Sequence, residues 1–129
     1  MSHQLTIVIH PGRYAIYRLD PEAPVPSWAE GEGFVSVTRT ADELSVVCVQ
    51  DRLPHVHHAE RERRLLQIEG KLAFSLVGVL AAVAVPLAKA EISVFAVSTY
   101  DTDYLLVAER DLHNATQALE AAGHSIRRV

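Results

Sequence analysis

The order of hydrophobic segments after residue 64 constrains the fold more than any other feature of this sequence. Apolar and β-branched residues alternate or cluster in segments that predict strands at 65–69, 92–98, 102–107 and 125–129. Helices are predicted at 75–89 and 111–122. The resulting order, β-α-β-β-α-β, is typical of a ferredoxin-like α+β fold, in which an antiparallel sheet carries both helices on one face.

Each predicted helix contains residues whose structural role can be predicted. Ser75 is expected to cap the first helix and Asp111 the second, because their side-chain oxygens can accept hydrogen bonds from first-turn N–H groups. Pro86 is expected to kink the first helix, because an interior proline removes one helical hydrogen bond. The uncharged stretch 72–88 is barely long enough to span a membrane and is rich in alanine and valine. A buried helix is therefore predicted, and no membrane partner is expected.

The first half of the chain predicts strands but no regular helix. The predicted strands lie at 4–10, 14–19, 34–39 and 44–50, and segment 51–63 is predicted to be a loop with one helical turn. Residues 34–47 (FVSVTRTADELSVV) align without a gap with residues 94–107 (VFAVSTYDTDYLLV), at an offset of about 60 residues. This alignment places Thr38 over Ser98 and Asp42 over Thr102. Two fused copies of one module are therefore predicted, a degenerate one at 1–63 and a complete one at 64–129.

Composition and charge exclude several classes of protein. The net charge of −4 and the aromatic content of 6% argue against a nucleic-acid partner, which needs a clustered basic surface. The densest basic cluster, at 61–64, alternates with glutamates and is predicted to be a solvent-exposed face. Cys48, the single cysteine, cannot form an internal disulfide and is expected to be buried in its strand. The first four residues form no charged targeting segment, so a cytoplasmic location is predicted.

Two segments of the second half resemble a known family. Residues 74–83 (FSLVGVLAAV) and 87–93 (LAKAEIS) look like the ACT-domain signature, in which a helix begins at a glycine and leads through a short link to an isoleucine-rich strand. Residues 98–107 (STYDTDYLLV) resemble the hairpin of small bacterial tandem-ACT proteins, which are similar to the CASTOR cytosolic arginine sensors. Val77 and Glu91 depart from the pattern, where proline and glycine are common. The resemblance implies two ferredoxin-like ACT modules in tandem, the first one degenerate.

The resemblance also implies a function. ACT domains are usually sensors of amino acids rather than enzymes, so no catalytic residue, cofactor or metal is expected. Their ligands bind where the start of the first helix meets the strands of a neighbouring module. A helix N-terminus suits a carboxylate, Gly78 permits close approach, and Asp101 and Asp103 can pair with an ammonium group. The predicted ligand-binding residues are Ser75, Leu76, Val77, Gly78, Val79, Thr99, Tyr100, Asp101, Thr102 and Asp103.

The expected partners follow from the same module. Edge-to-edge pairing of two copies would cover exposed strands and bury apolar surface that a small chain needs, so a homodimer is predicted. The resemblance implies that the ligand is a small molecule, an amino acid, and that an enzyme or transporter is regulated.

Two other functions remain open. The first is a ligand-free protein–protein interaction module that pairs through its sheet edges. The second is a small metal-dependent or acid–base enzyme, in which His55, His57 and His58 bind a metal with Glu60, or Asp101 and Asp103 exchange protons. The proposed site residues also have purely structural interpretations, because serine caps helices and aspartate forms turns.

Overall fold

The structure is a computed structural model, and it describes residues 3–54, 58–73 and 75–129. Within these ranges the chain forms strands, two α-helices and short 3₁₀ turns. The strands are β1 (Thr6–Ile9), β2 (Tyr14–Leu19), β3 (Ser36–Arg39), β4 (Leu44–Val49), β5 (Ala59–Ile68), β6 (Phe95–Ser98), β7 (Asp103–Ala108) and β8 (Ser125–Arg128). The helices are α1 (Val79–Lys89) and α2 (Leu112–Ala121). The predicted α+β class is confirmed.

The chain divides into two compact units. Unit 1 comprises Met1–Pro11 and Arg64–Val129, and unit 2 comprises Gly12–Arg63. Unit 2 is therefore inserted into the sequence of unit 1, and β5 contributes residues to both. The predicted division into modules at 1–63 and 64–129 stays a prediction, but the structure groups β1 with the C-terminal unit.

Unit 1 has the ferredoxin-like order with one added strand. Its strands lie in the order β6-β7-β5-β1-β8. β1 is antiparallel to β5 and parallel to β8, so it occupies the position between the first and last strands of the β-α-β-β-α-β segment. Alternate residues of the sheet and the apolar stripes of both helices form one core: Ile7, Ile9, Leu66, Ile68, Val79, Val83, Leu87, Ile92, Leu105, Val107, Ala115 and Leu119. Each large side chain buried there contributes about 1.5–3 kcal/mol.

The start of α1 differs from the prediction. Helix α1 begins at Val79, and Gly78 occupies the N-cap position with φ of +83°. The prediction that Ser75 caps this helix is therefore wrong, because the left-handed conformation of Gly78 separates Ser75 from the helix. Asp111 does stand at the N-cap of α2, but its side chain makes no capping hydrogen bond.

Unit 2 has the ferredoxin-like strand order, and its described residues contain no α-helix. Its strands lie in the order β3-β4-β2-β5, and every neighbouring pair is antiparallel. Short 3₁₀ turns at Ser27–Ala29 and Gln50–Arg52 stand where a ferredoxin-like fold has helices. The core is small, with residues Ala15, Tyr17, Trp28, Ala29, Leu44, Val46, Cys48 and Leu53.

Strand β5 corrects two predictions for the middle of the chain. Part of the predicted loop at 51–63 is strand, because β5 begins at Ala59. A β-bulge at Glu62, with φ of +58°, shifts the register against β2 and disrupts the alternation that would have indicated a strand. The basic cluster is also not a solvated face, because the side chains of Arg63 and Arg64 are only 22% and 19% exposed. They pair with Glu60 and Glu109.

One hairpin recurs in both units. The segment β3, β4 and Gln50–Arg52 corresponds, at every boundary, to β6, β7 and Glu109–Asp111 with an offset of 59 residues. The turns match as well, since the Thr40 N–H donates to Glu43 O at 2.9 Å and the Thr99 N–H donates to Thr102 O at 2.8 Å. The predicted alignment is therefore wrong by one residue, which matters because a shift of one exchanges the two faces of a strand.

Candidate functional site

Unit 1 has a small pocket between the β6–β7 turn and the segment that leads into α1. Its volume is about 190 Å³. One wall is largely apolar and the other is the polar hairpin turn. The lining residues are Leu72, Ala73, Leu76, Val79, Ser98, Thr99, Tyr100, Asp101, Thr102 and Asp103.

The hairpin wall is held by hydrogen bonds on both sides of the turn. Thr99 Oγ1 donates to Thr102 O at 3.0 Å, and Ser98 Oγ donates to the Asp103 carboxylate. Thr102 is buried, and its hydroxyl donates to Ile68 O at the end of β5 at 2.7 Å. The turn is therefore fixed to the central strand of unit 1, and the position of both aspartates is fixed with it.

Three hydrogen bonds hold the opposite wall, one to the hairpin, one within the wall and one to His3. The Leu72 N–H donates to Asp101 O at 2.7 Å, which joins the two walls, and the Leu76 N–H donates to Ala73 O at 3.0 Å. His3 Nε2 lies 2.8 Å from Val77 O, and because a carbonyl only accepts, this ring nitrogen carries the proton. These bonds position the backbone immediately before α1.

Gly78 is needed for its conformation rather than for space. A Cβ added there would have His3 Nε2 as a neighbour at 4.0 Å, an ordinary contact distance. The φ of +83°, however, lies in the left-handed region that favours glycine. The predicted role of Gly78 in the close approach of a ligand therefore stays a prediction, while its role in beginning α1 is visible in the structure.

The first turn of α1 can accept an anion. The first helical hydrogen bond runs from the Ala82 N–H to Gly78 O at 2.9 Å, so the preceding N–H groups lack intrahelical acceptors. The first turn contains no acidic residue, and the residue at the N-cap makes no side-chain capping bond. The positive end of the helix dipole therefore remains available to a carboxylate beside Val79, which lines the pocket.

The pocket brings together seven of the ten predicted site residues. They are Leu76, Val79, Thr99, Tyr100, Asp101, Thr102 and Asp103. Ser75, Val77 and Gly78 are not part of its lining in the described chain, and Val77 is 84% exposed. Sequence reasoning missed Leu72, Ala73 and Ser98. The hairpin pattern was a signal for Ser98, which directly precedes the turn, whereas nothing in the sequence indicated that Leu72 and Ala73 would face the turn.

The charge of the pocket is negative. Asp101 and Asp103 are its ionisable carboxylates, and the lining contains no lysine, arginine or histidine among the described residues. The hydroxyl groups of Ser98 and Thr99 are already used within the turn. The arrangement therefore suits a ligand with an ammonium group, whose charge the two aspartates can balance.

Within the described residues no metal site supports the enzyme hypothesis, whereas its acid–base pair, Asp101 and Asp103, lines the pocket. His55 and His57 lie outside the described residues, and His58 is exposed. No group of three or more histidine, cysteine, aspartate or glutamate side chains in the described ranges is arranged to hold a metal ion.

Cys48 lacks the environment of a reactive thiol. Its side chain is buried, and burial raises the pKa of the thiol above the ordinary value of 9.0, with the nearby Arg52 charge partly opposing this shift. The thiol is therefore protonated at neutral pH, whereas nucleophilic cysteines have lowered pKa values. Cys48 belongs to the core of unit 2.

The length and composition of the described helices determine whether either could cross a membrane. Neither helix within those ranges has the length and apolar content required to cross a bilayer.

Comparison with protein families gives two matches within the chain. Residues 59–121 match the family model of the ACT domain. Residues 12–56 match a second model, which is described only as an N-terminal domain. No curated protein matches the sequence.

Comparison with solved structures extends the match to the whole chain. Protein Atu0741 from Agobacterium tumefaciens is 39% identical, with 99% of this chain and 96% of that chain covered and a TM-score of 0.94. VC0802 from Vibrio cholerae, a protein of unknown function, is 19% identical over 93% of this chain and 91% of that chain, with a TM-score of 0.75. The regulatory subunit of aspartate kinase from Thermus thermophilus is 12% identical over 86% and 93%, with a TM-score of 0.59.

These matches differ in what they establish. The Vibrio and Thermus structures share the fold, which confirms the ferredoxin-like, ACT-type architecture. The Agobacterium protein is similar in sequence over nearly its full length. The chain therefore belongs to the same family as Atu0741, with a match to the ACT domain at residues 59–121.

Proposed function

We propose that this chain is a non-catalytic regulatory protein that binds an amino acid in the pocket of unit 1. The observation that carries the proposal is the presence, in one pocket, of Val79 at the start of α1 and of Asp101 and Asp103 on the hairpin. The first turn of α1 offers N–H groups that have no acceptor within the helix, and the hairpin offers carboxylates. The ACT-domain match and the fold shared with a regulatory subunit of aspartate kinase support the same function.

The binding mode follows from these groups. The α-carboxylate of the ligand accepts hydrogen bonds from the first-turn N–H groups of α1, and its ammonium group pairs with Asp101 or Asp103. The side chain of the ligand packs against Leu72 and Leu76. A volume of about 190 Å³ lies below the roughly 300–1,000 Å³ typical of pockets for drug-sized ligands, so a small amino acid is the best fit.

Regulation follows if the ligand favours one arrangement of the two walls. A ligand that touches both the segment before α1 and the hairpin binds more tightly when these are close together, and it shifts the population toward that state. The proposed readout is a regulated enzyme or transporter. A homodimer of two tandem modules, the first degenerate, remains the proposed assembly.

The test is a thermal-shift screen against the L-amino acids. A ligand at about one hundred times its dissociation constant adds roughly 2.7 kcal/mol to the free energy of unfolding. We expect a selective rise in melting temperature that Asp101→Asn reduces. Glu120→Gln is the matched control, because it removes an exposed charge of α2 in the same unit and should keep the response. A flat screen with an intact fold would contradict amino-acid binding.

A ligand-free interaction module is the second candidate. Within the described chain β6 pairs with β7 alone, which leaves its other edge unpaired, and Phe95 and Ala96 on it are exposed. An open strand edge of this kind can pair with another chain. This candidate predicts dimers by light scattering at micromolar concentration together with no response to any amino acid.

A further inference from the structure

Unit 2 has a pocket of its own at the equivalent position. Its volume is about 710 Å³, and it is lined by Asp20, Pro21, Glu22, Ala23, Thr40 and Ala41. With the offset of 59 residues, Thr40 and Ala41 correspond to Thr99 and Tyr100 in the lining of the unit 1 pocket. Residues 20–23 directly follow β2, just as the wall of the first pocket follows β5. The repeated hairpin therefore forms a pocket in each unit.

Hydrogen bonds fix both walls of this second pocket. On one side the Ala23 N–H donates to Asp20 O at 3.0 Å, which closes a turn. On the other side Thr40 Oγ1 accepts from the N–H groups of Asp42 and Glu43, each at 3.1 Å. The Arg39 guanidinium donates to Pro21 O and thereby joins the two walls.

The charges at this pocket have both signs. Asp20 and Glu22 are exposed, and neither carboxylate has a hydrogen-bond or ion-pair partner within the described residues. Arg39 is not a lining residue, but its guanidinium bonds to Pro21 O of the lining and neighbours Thr40 in sequence, and its planar set of donors matches a carboxylate. Carboxylates on one wall and a guanidinium on the other complement a zwitterion. The described lining of the unit 1 pocket, in contrast, has no cationic side chain for the negative end of a ligand.

We infer that unit 2 holds a second binding site for an amino acid, with the ligand ammonium on Asp20 and Glu22 and the ligand carboxylate on Arg39. The ligand class rests on the proposed function, but the site is separate and uses different residues. The volume of about 710 Å³ falls within the range of roughly 300–1,000 Å³ typical of ligand pockets, so this site accepts a larger side chain than the first.

The experiment is isothermal titration calorimetry of the full chain with the L-amino acids, each up to about 10 mM, where millimolar affinity is measurable. The variants are the double substitution Asp20→Asn with Glu22→Gln, and separately Arg39→Gln. Glu30→Gln is the matched control, since Glu30 is an exposed acid of the same unit outside the pocket. Melting temperatures of all variants establish that the fold is intact.

We expect the double variant and Arg39→Gln to weaken one binding event at least tenfold, and Glu30→Gln to leave it unchanged. Asp101→Asn should leave this event intact and weaken the event of unit 1. If the wild type shows only the binding event that the unit 2 variants weaken, the proposed site of unit 1 is contradicted and the site of unit 2 is supported. Wild-type binding in both unit 2 variants, or no binding of any amino acid, would overturn the inference.

Discussion

Pro86 leaves one carbonyl group of α1 without its helical donor, and a histidine from outside the helix supplies the replacement. The carbonyl of Ala82 would accept from the N–H of residue 86, which proline lacks. His124 Nε2 lies 2.7 Å from that carbonyl, and His124 Nδ1 accepts the Leu5 N–H at 3.1 Å. His124 is only 5% exposed, so water has little access to this position. The imidazole therefore pairs the Ala82 carbonyl and the Leu5 N–H in place of water.

This arrangement predicts coupling between His124 and Pro86. His124→Leu leaves the Ala82 carbonyl and the Leu5 N–H unpaired, which should lower the free energy of unfolding by about 2–4 kcal/mol. Pro86→Ala restores a helical N–H for the carbonyl, so in that background the same change should cost about 1–2 kcal/mol less. Urea unfolding of the four proteins of this double-mutant cycle measures the difference. Equal costs in both backgrounds would show that His124 does not replace the missing helical bond.

At the level of elements, the two helices end in the same way with different residues. Each end is a Schellman motif, in which the Ile92 N–H reaches Leu87 O at 2.9 Å in α1 and the His124 N–H reaches Leu119 O at 3.1 Å in α2. The left-handed position of this motif is Gly123 in α2, with φ of +97°, but Glu91 in α1, with φ of +61°. Glu91 therefore adopts a conformation that is unfavourable for a residue with a Cβ atom.

The two helix ends make a matched prediction. Glu91→Gly should raise the free energy of unfolding by about 1 kcal/mol, because glycine adopts the left-handed conformation without steric cost. Gly123→Ala should lower it by a similar amount, about 1 kcal/mol, for the opposite reason. Urea denaturation at constant pH measures both changes. A Glu91→Gly protein that is less stable than the wild type would contradict strain at this position.

The elements also show what the sequence can predict. The predicted boundaries of strand β2 match the observed ones, because it is a continuous run of apolar and aromatic residues that follows a Pro-Gly turn. The start of α1 was misplaced, because the apolar spacing continues through Leu76 although Gly78 interrupts the helix. Strand β5 was shortened in the prediction, because the bulge at Glu62 breaks its alternation. Periodicity thus identifies regular elements, but backbone conformations with positive φ interrupt it.

At the level of the whole molecule, the residues of the hairpin and the start of α1 that meet in the pocket were easier to predict than the rest of its lining. The hairpin and the start of α1 are local signals, and the structure brings Val79 into the same pocket as Asp101. Leu72 faces that turn through a hydrogen bond to Asp101 O, a contact between residues far apart in sequence that no local pattern encodes. Contacts of this kind depend on strand order, which in this chain includes an inserted β1.

The order of the two units along the chain bears on how they unfold. Unit 2 is inserted in sequence between β1 and the rest of unit 1. The ten residues of β5 are divided between the units, with 59–63 in unit 2 and 64–68 in unit 1. The part of β5 in unit 1 pairs with β1, for example Leu66 with Ile9, and the part in unit 2 pairs with β2. A change that unfolds unit 1 therefore acts on a strand whose other half belongs to unit 2.

The consequence can be tested with Cys48 as a reporter of unit 2. Leu66 is buried in the core of unit 1, so Leu66→Ala should lower the free energy of unfolding by about 2–5 kcal/mol. If β5 transmits this loss, the rate at which a thiol reagent modifies Cys48 should rise on the order of 100-fold, because the buried thiol reacts only after opening. Glu120→Gln, a surface change in unit 1, should leave the rate unchanged. A less stable Leu66→Ala protein with a wild-type rate at Cys48 would mean that the two units open independently.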